Sequence, residues 1–558
     1  MLWHIGNTTV RTPYRLRLAL IALSQSKLRG NLKGKKQEGE FAELLRDNDV
    51  LNIKRDSGFE DLGRKWRSAL SQLGFIKHPK AIIDSNGADQ NLEYDITQNG
   101  YRMIRAEEVA AQQECFLRSL VSYRVPSKAE TTYKCDQFSP LRFVLDILVR
   151  LESLSEGKIS FEEMGNFVLR STPKDDIDSI VSGIISFRED KDKAVSKKVF
   201  SRNYLSALLQ KEYPRASQKI LNTKKHTIRD YSDVNFRYLK STGLFVSKGN
   251  GIAISPQKKD LVSDILKTPF VAIDNDQYFT ELWHGAKLPT DNVPFAKKTV
   301  QTLQEELKKR GMLIRKKSLV SLGIDELNSL RYGLETELSQ IDEEEYAREQ
   351  SSKWGEIIEY MEDLQKARPQ LIPAGDAPIY LEWVIWRAFL AINSLVNKPW
   401  ESRLFKMDQD FLPVSNAPAG KPDLVFEFDD FVLVVEVTLS ASSRQEAMEG
   451  EPVRRHIADI TEKYQDKEVF GLFIARTVDS NTAETLRMGT WYKKDDTKIA
   501  LRIVPVRLDL FCQLLRKRSS SKKKLKPDEI KALLMRCLMD SNSDAPTWKA
   551  KIDKLVST

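Results

Sequence analysis

Residues 421–440 read KPDLVFEFDDFVLVVEVTLS, and no other stretch of the chain constrains the fold as strongly. The runs DLVFEF and FVLVVEV are strongly apolar and rich in β-branched residues, the composition of strands. Asp429-Asp430 between them is the right length for a two-residue hairpin loop. Such a loop sets Phe428 opposite Phe431, and each step back along one strand then matches a step forward along the other. Asp423 falls opposite Glu436 on one face, with Cβ atoms about 5 Å apart. No Lys or Arg lies between these two positions to neutralise them, and carboxylates are rarely buried alone.

Opposed like charges destabilise a hairpin, so the pairing makes sense with a divalent cation between the two acids. Oxygen ligands at that separation suit Mg²⁺, which keeps waters and also takes phosphate oxygens. A metal so held can generate hydroxide and stabilise an in-line phosphoryl displacement. The plainer alternative sets Asp423 at a strand entry and Glu436 on a solvated face. Downstream, MEGEPVRRHI supplies further candidates: Glu449 ahead of a helix with Pro452 in its first turn, and His456 within it. Arg454 and Arg455 in the same segment are placed to reach a phosphate. Upstream, Glu382 interrupts the apolar helix IYLEWVIWRAFLAI, where it either pairs with Arg387 or adds one more acid to the site.

The remainder reads as a multidomain α+β protein of 558 residues. Its net charge of +9 is unevenly spread: residues 1–36 hold eight basic side chains and no acid. A second basic stretch, KEYPRASQKILNTKKHTIR, spans Lys211 to Arg229. Clusters of this kind suit phosphate contacts, although each is also compatible with a solvated charged face. Residues 1–110 are expected to form helices followed by a small strand pair, with Asn99-Gly100 as the turn; helix, helix, basic helix, β-ribbon is the order of a winged helix. Candidate DNA contacts there are Arg11, Arg15, Arg17, Arg64, Lys65 and Arg67. A second helix-to-ribbon pattern around Lys248-Gly249-Asn250-Gly251 closes residues 111–270, and 271–350 reads as a helical linker. From 351 to 558, strands alternating with helices predict a mixed α/β sheet. Four scattered cysteines lack disulfide or zinc spacing, and no segment reads as a membrane span or cleaved leader, so a cytoplasmic setting is expected.

Pro422-Asp423, with Glu436-Val437-Thr438 following, resembles the PD-(D/E)XK nuclease signature, except that Thr438 stands at the usual Lys position. The opening WHIGNTTVRTPYRLR, this hairpin and EPVRRHI together resemble the AlwI-like family of type IIS restriction endonucleases, which includes PleI, MlyI and nicking enzymes. The resemblance implies an N-terminal recognition region with winged-helix parts, a helical linker and a C-terminal nuclease domain. It also implies Mg²⁺-dependent cleavage of double-stranded DNA a few nucleotides outside a short asymmetric site. Carried over by motif, the catalytic set falls on Glu382, Asp423, Glu436, Glu449 and His456, with Glu382, Asp423 and Glu436 as metal ligands. One nuclease site cuts one strand per encounter. A monomer would therefore nick, and double-strand cleavage would need a transient dimer or second subunit. Two competing readings are a winged-helix regulator with an inactive nuclease-like domain and a structure-specific repair nuclease.

Overall fold

Phe428 donates its backbone N–H to Phe431 O at 2.9 Å, closing Asp429-Asp430 into the two-residue turn that the spacing predicts. The two rings stack across the turn with centroids 4.6 Å apart. Strands Leu424–Glu427 and Phe431–Thr438 run antiparallel in the expected register, Leu424 opposite Val435. The computed structural model describes residues 2–48, 50–51, 59–78, 94–313, 318–373, 375–418, 420–441, 445–520 and 525–557. The chain divides into two units, Met1–Thr336 and Glu337–Thr558.

In the second unit the hairpin opens a four-stranded mixed sheet. Glu468–Ala475 pairs parallel to Phe431–Thr438, and Ile503–Arg507 parallel to Glu468–Ala475. The parallel pairing requires a crossover, and the helix Glu451–Lys463 supplies it. Side-chain alternation along the central strand then divides the core. Leu433 and Val435 join a cluster with Phe389, Phe426 and Leu472, while Val432 and Val434 join Val453, Ile457 and Phe473. The first cluster is capped by the helix Ala377–Leu390, buried along most of its length, with Phe389 stacked on Phe426 at 4.4 Å. Both faces are covered, which is why the strands read as continuous apolar runs. Gly471 sets the approach on the second face, since a Cβ there would meet Ile457 Cδ1 at 2.3 Å.

The first unit is mainly helical around a three-stranded sheet. Ile159–Ser160 pairs antiparallel with Gly251–Ile254, which pairs antiparallel with Phe245–Lys248. The helix Pro140–Leu154 precedes the first strand. The short helix Phe161–Asn166 follows it, started by a reciprocal cap between Ser160 and Glu163. After two intervening helices, Gln218–Lys240 leads into the hairpin. Further along come the helices Asn275–His284 and Val293–Lys309, and then Ile324–Glu349, which begins in the first unit and ends in the second.

The strand pair expected around Asn99-Gly100 is not formed. Thr97 Oγ1 accepts from Gly100 N at 3.0 Å and starts a helix, Gln98–Arg105, in which Asn99-Gly100 occupies the first turn. A side-chain cap on Thr97 therefore outweighs the turn preference of Asn-Gly. Gly100 serves for close approach, since a Cβ there would lie 2.2 Å from Phe75 O. Residues 91–93 of the expected ribbon lie outside the described residues. Among the described residues no helix is long and apolar enough to cross a membrane.

Candidate active site

The hairpin register brings Asp423 beside Glu436 at the open end of the sheet. Asp423 Oδ2 accepts from Val437 N at 2.8 Å, which pins the carboxylate against the strand that carries Glu436. Three more elements converge here. A π-helical turn, Glu446–Gly450, carries Glu449 immediately ahead of the Glu451–Lys463 helix. His456, one turn into that helix, turns inward, and its Nδ1 lies 2.8 Å from Glu436 Oε1. Glu382 arrives from the Ala377–Leu390 helix.

Glu382 does not pair with Arg387. That guanidinium binds Glu356 at 2.9 Å and Gln350 at 2.7 Å, while Glu382 accepts from Asn416 Nδ2 at 2.7 Å and Ala417 N at 2.9 Å. Asn416 and Ala417 lie in an irregular segment between Glu382 and Pro422, and no pattern in the sequence marks them as the donors that orient this carboxylate.

All four carboxylates hold protons more tightly than usual. Burial pushes Glu382 well up, reinforced by Asp423. Burial does the same to Asp423, then Glu436; Glu436 is raised by burial and by Glu449. Burial raises Glu449 too, offset by a hydrogen bond from Thr438. Thr438, standing where the related signature has Lys, thus lies near enough to Glu449 for its hydroxyl to oppose that rise; Ser440 N donates to the same hydroxyl at 3.1 Å. His456 is shifted down, by burial first and then by Arg455, with Lys421 adding to the same direction. With Glu436 ionised, Nδ1–H donates to it, and Nε2, buried without any hydrogen bond, keeps a free lone pair.

Among the described residues no Lys or Arg forms an ion pair with Glu382, Asp423, Glu436 or Glu449, and no three His, Cys, Asp or Glu side chains are gathered at metal-ligand spacing. The donor set itself suits a hard divalent cation. It offers carboxylate oxygens whose mutual repulsion and burial a cation would relieve, and no thiolate. Such perturbed acids clustered at one sheet end make this the candidate active site on physical grounds.

The basic candidates are largely engaged within the fold. Arg454 Nε donates to Gly450 O at 3.1 Å, and Arg455 pairs with Glu451 at 3.0 Å. In the first unit Arg11 binds Asp230 at 2.8 Å, Arg15 binds Val50 O at 3.0 Å and Arg17 binds Ile104 O at 3.0 Å. Arg64 and Lys65 both pair with Asp61, at 2.5 and 2.7 Å. Arg67 reaches Leu32 O and Glu38 and lies over the Tyr94 ring.

A family model described as "AlwI restriction endonuclease" matches residues 71–514. Among solved structures, the chain is similar to the small subunit (R.BspD6I2) of the heterodimeric restriction endonuclease R.BspD6I. The identity is 24% and the TM-score 0.30, over 36% of this chain and 98% of that one. No curated protein matches. The family match spans most of the chain, including the hairpin, the π-turn and the His456 helix, and on that extent the chain belongs to the AlwI restriction endonuclease family.

Proposed function

We propose that this restriction endonuclease is of type IIS: it binds a short asymmetric duplex sequence and hydrolyses phosphodiester bonds a few nucleotides outside it, with Mg²⁺. The observation that carries the reading is the set of four carboxylates, Glu382 and Glu436 buried and Asp423 and Glu449 half-buried, that no Lys or Arg pairs with among the described residues, gathered where a strand pair opens. Asp423 and Glu436 would hold the metal, with Glu382 contributing. When bound, the metal supplies Lewis-acid stabilisation of the phosphate and an acidified water. The protein groups do the rest. Glu436 holds His456 in the tautomer that leaves Nε2 free to accept a proton from the attacking water. Glu449, with the Thr438 hydroxyl nearby, would orient the same water or a second one. Lys421 and Arg455, whose charges are felt at His456, are the nearby cations suited to the phosphate, in place of the missing strand lysine.

The first unit would supply recognition. The winged-helix reading of its later part is supported by the order helix, strand, short helix, long helix and hairpin, with the first strand lying beside the last and further helices inserted before the long one. One nuclease site cuts one strand, so the monomer would nick, and double-strand cleavage would need a second copy or a separate subunit. The setting is the cytoplasm, where the DNA is.

The test is a plasmid incubation with Mg²⁺, wild type beside Asp423→Ala, with every product end mapped by sequencing. Discrete ends at a fixed offset from one motif, absent in the variant, are expected. Intact DNA together with a tight gel shift would instead make the chain a DNA-binding regulator. Cutting confined to branched or damaged substrates would make it a repair nuclease.

A further inference from the structure

We infer that the exposed face of the first half of the Gln218–Lys240 helix reads the DNA sequence, with Asn222 and His226 on base edges and Lys219 and Arg229 on the flanking phosphates. This deepens the proposed function and rests on it. The helix is amphipathic: Leu221, Ile228, Ser232, Asn235 and Leu239 are buried on one side. Lys219, Asn222, His226 and Arg229, spaced three or four residues apart, are exposed on the other.

That outer stripe is electrostatically unanswered. Residues 213–229 contain no Asp or Glu. Among the described residues the side chains of Lys219, His226 and Arg229 enter no hydrogen bond or ion pair, whereas neighbouring cations are committed. Lys225 Nζ donates to Ser206 Oγ at 2.9 Å, and Lys224 lies over Tyr213 at 5.2 Å. Asp230, the first acid on this face, is answered by Arg11 at 2.8 Å, so it does not oppose a polyanion. Asn222 Oδ1 accepts from Gln218 Nε2 at 3.2 Å on the exposed surface, and the row of Lys, Asn, His and Arg, on a family member that acts on DNA, is charge-complementary to a duplex groove. Asn and His carry the donors and acceptors that base edges offer.

Packing holds the helix where such a role needs it. Its inner side meets Phe161–Asn166 so closely that a Cβ on Gly165 would lie 2.6 Å from Ile228 Cγ2. Its C-terminal end runs through Thr242 and Gly243 into the Phe245–Lys248 strand. Helix position and hairpin position are thereby coupled, and the outer stripe stands clear of both.

The experiment follows the cleavage map of the wild type. In an Asp423→Asn background, which removes cutting, the full chain is titrated with a fluorescent duplex carrying the mapped site and with a scrambled duplex, at several salt concentrations. Asn222→Ala and His226→Ala are expected to lower the site-over-scrambled affinity ratio about ten- to a hundredfold with an unchanged salt slope. Lys219→Ala and Arg229→Ala are expected to weaken both duplexes alike and each to reduce the slope of log K against log salt by about one. Matched circular dichroism melts show that each variant is folded, and His226→Gln and Asn222→Asp repeat the test with side chains that keep the helix surface polar. Variants that retain the wild-type ratio overturn the base-reading role while site-specific cleavage stands. A wild type that discriminates between no sequences overturns this inference and the proposed function together.

Discussion

At the scale of single residues, the site is governed by how burial raises four carboxylates, with like charge adding to the rise at Glu382, Asp423 and Glu436. Asp423 sits among the most perturbed, buried against Glu436 and held by Val437 N. Asp423→Asn keeps the shape and that hydrogen bond while removing the charge. Plasmid nicking should fall about a thousandfold, about 4 kcal/mol in barrier, with DNA affinity retained in a binding titration. Thr438 carries a separate prediction. Its hydroxyl lies near enough to Glu449 to oppose the rise that burial imposes on that carboxyl. Thr438→Val should lower kcat about ten- to a hundredfold with KM little changed, and Thr438→Ser should restore most of it. The Thr438 position was visible in the sequence as a departure from the lysine of the related signature, but its partner was not. Glu449 comes eleven residues later in the chain, on a π-turn that no local pattern announces.

Among elements, the hairpin was the most legible because its order is local. A two-residue turn and strict alternation leave one register, and Leu424 does stand opposite Val435. The Glu451–Lys463 helix was equally readable from Pro452 in its first turn. What these elements pack against was not. Gly471 takes its meaning only from Ile457 on the crossover helix, whose Cδ1 would be 2.3 Å from an added Cβ. Gly471→Ala should therefore destabilise the second unit by about 1–3 kcal/mol, read as a lower urea midpoint with an unchanged m-value. The misread element is equally instructive. Asn99-Gly100 carries a strong turn signal, yet Thr97 recruits both residues into a helix whose Gly100 touches Phe75 O. A single side-chain cap combined with a tight packing site overrode the dipeptide.

For the whole molecule, stability is linked to pH through a buried acid far in sequence from the acid cluster. Glu130 in the first unit is pushed up to about 7 by burial, although Tyr123 and Gln72 both donate to it, at 2.5 and 2.7 Å. Its ordinary value is 4.5, so between pH 4.5 and 7 the folded chain holds a proton that the unfolded chain has lost. Stability is fully present below that window and falls as pH rises through it, by about 3 kcal/mol, then levels off. Urea unfolding of the first unit at pH 5 and pH 8 should show this loss, and Glu130→Gln should abolish most of it.

The sequence by itself determined the hairpin and its register, the pairing of Asp423 with Glu436, the basic stretch from Lys211 to Arg229, and the three motifs that point to the family. These are short-range matters, settled by alternation, turn length and residue type. Only the tertiary structure decided that Glu382 is oriented by Asn416 and Ala417 rather than neutralised by Arg387, that Thr438 comes near Glu449, and that Arg11, Arg15, Arg17 and Arg67 are bound within the fold while Lys219, His226 and Arg229 are left exposed. Each of those outcomes depends on which distant backbone or side chain arrives beside a polar group. Buried polar atoms take whatever partner packing delivers, and that delivery is not encoded in neighbouring residues.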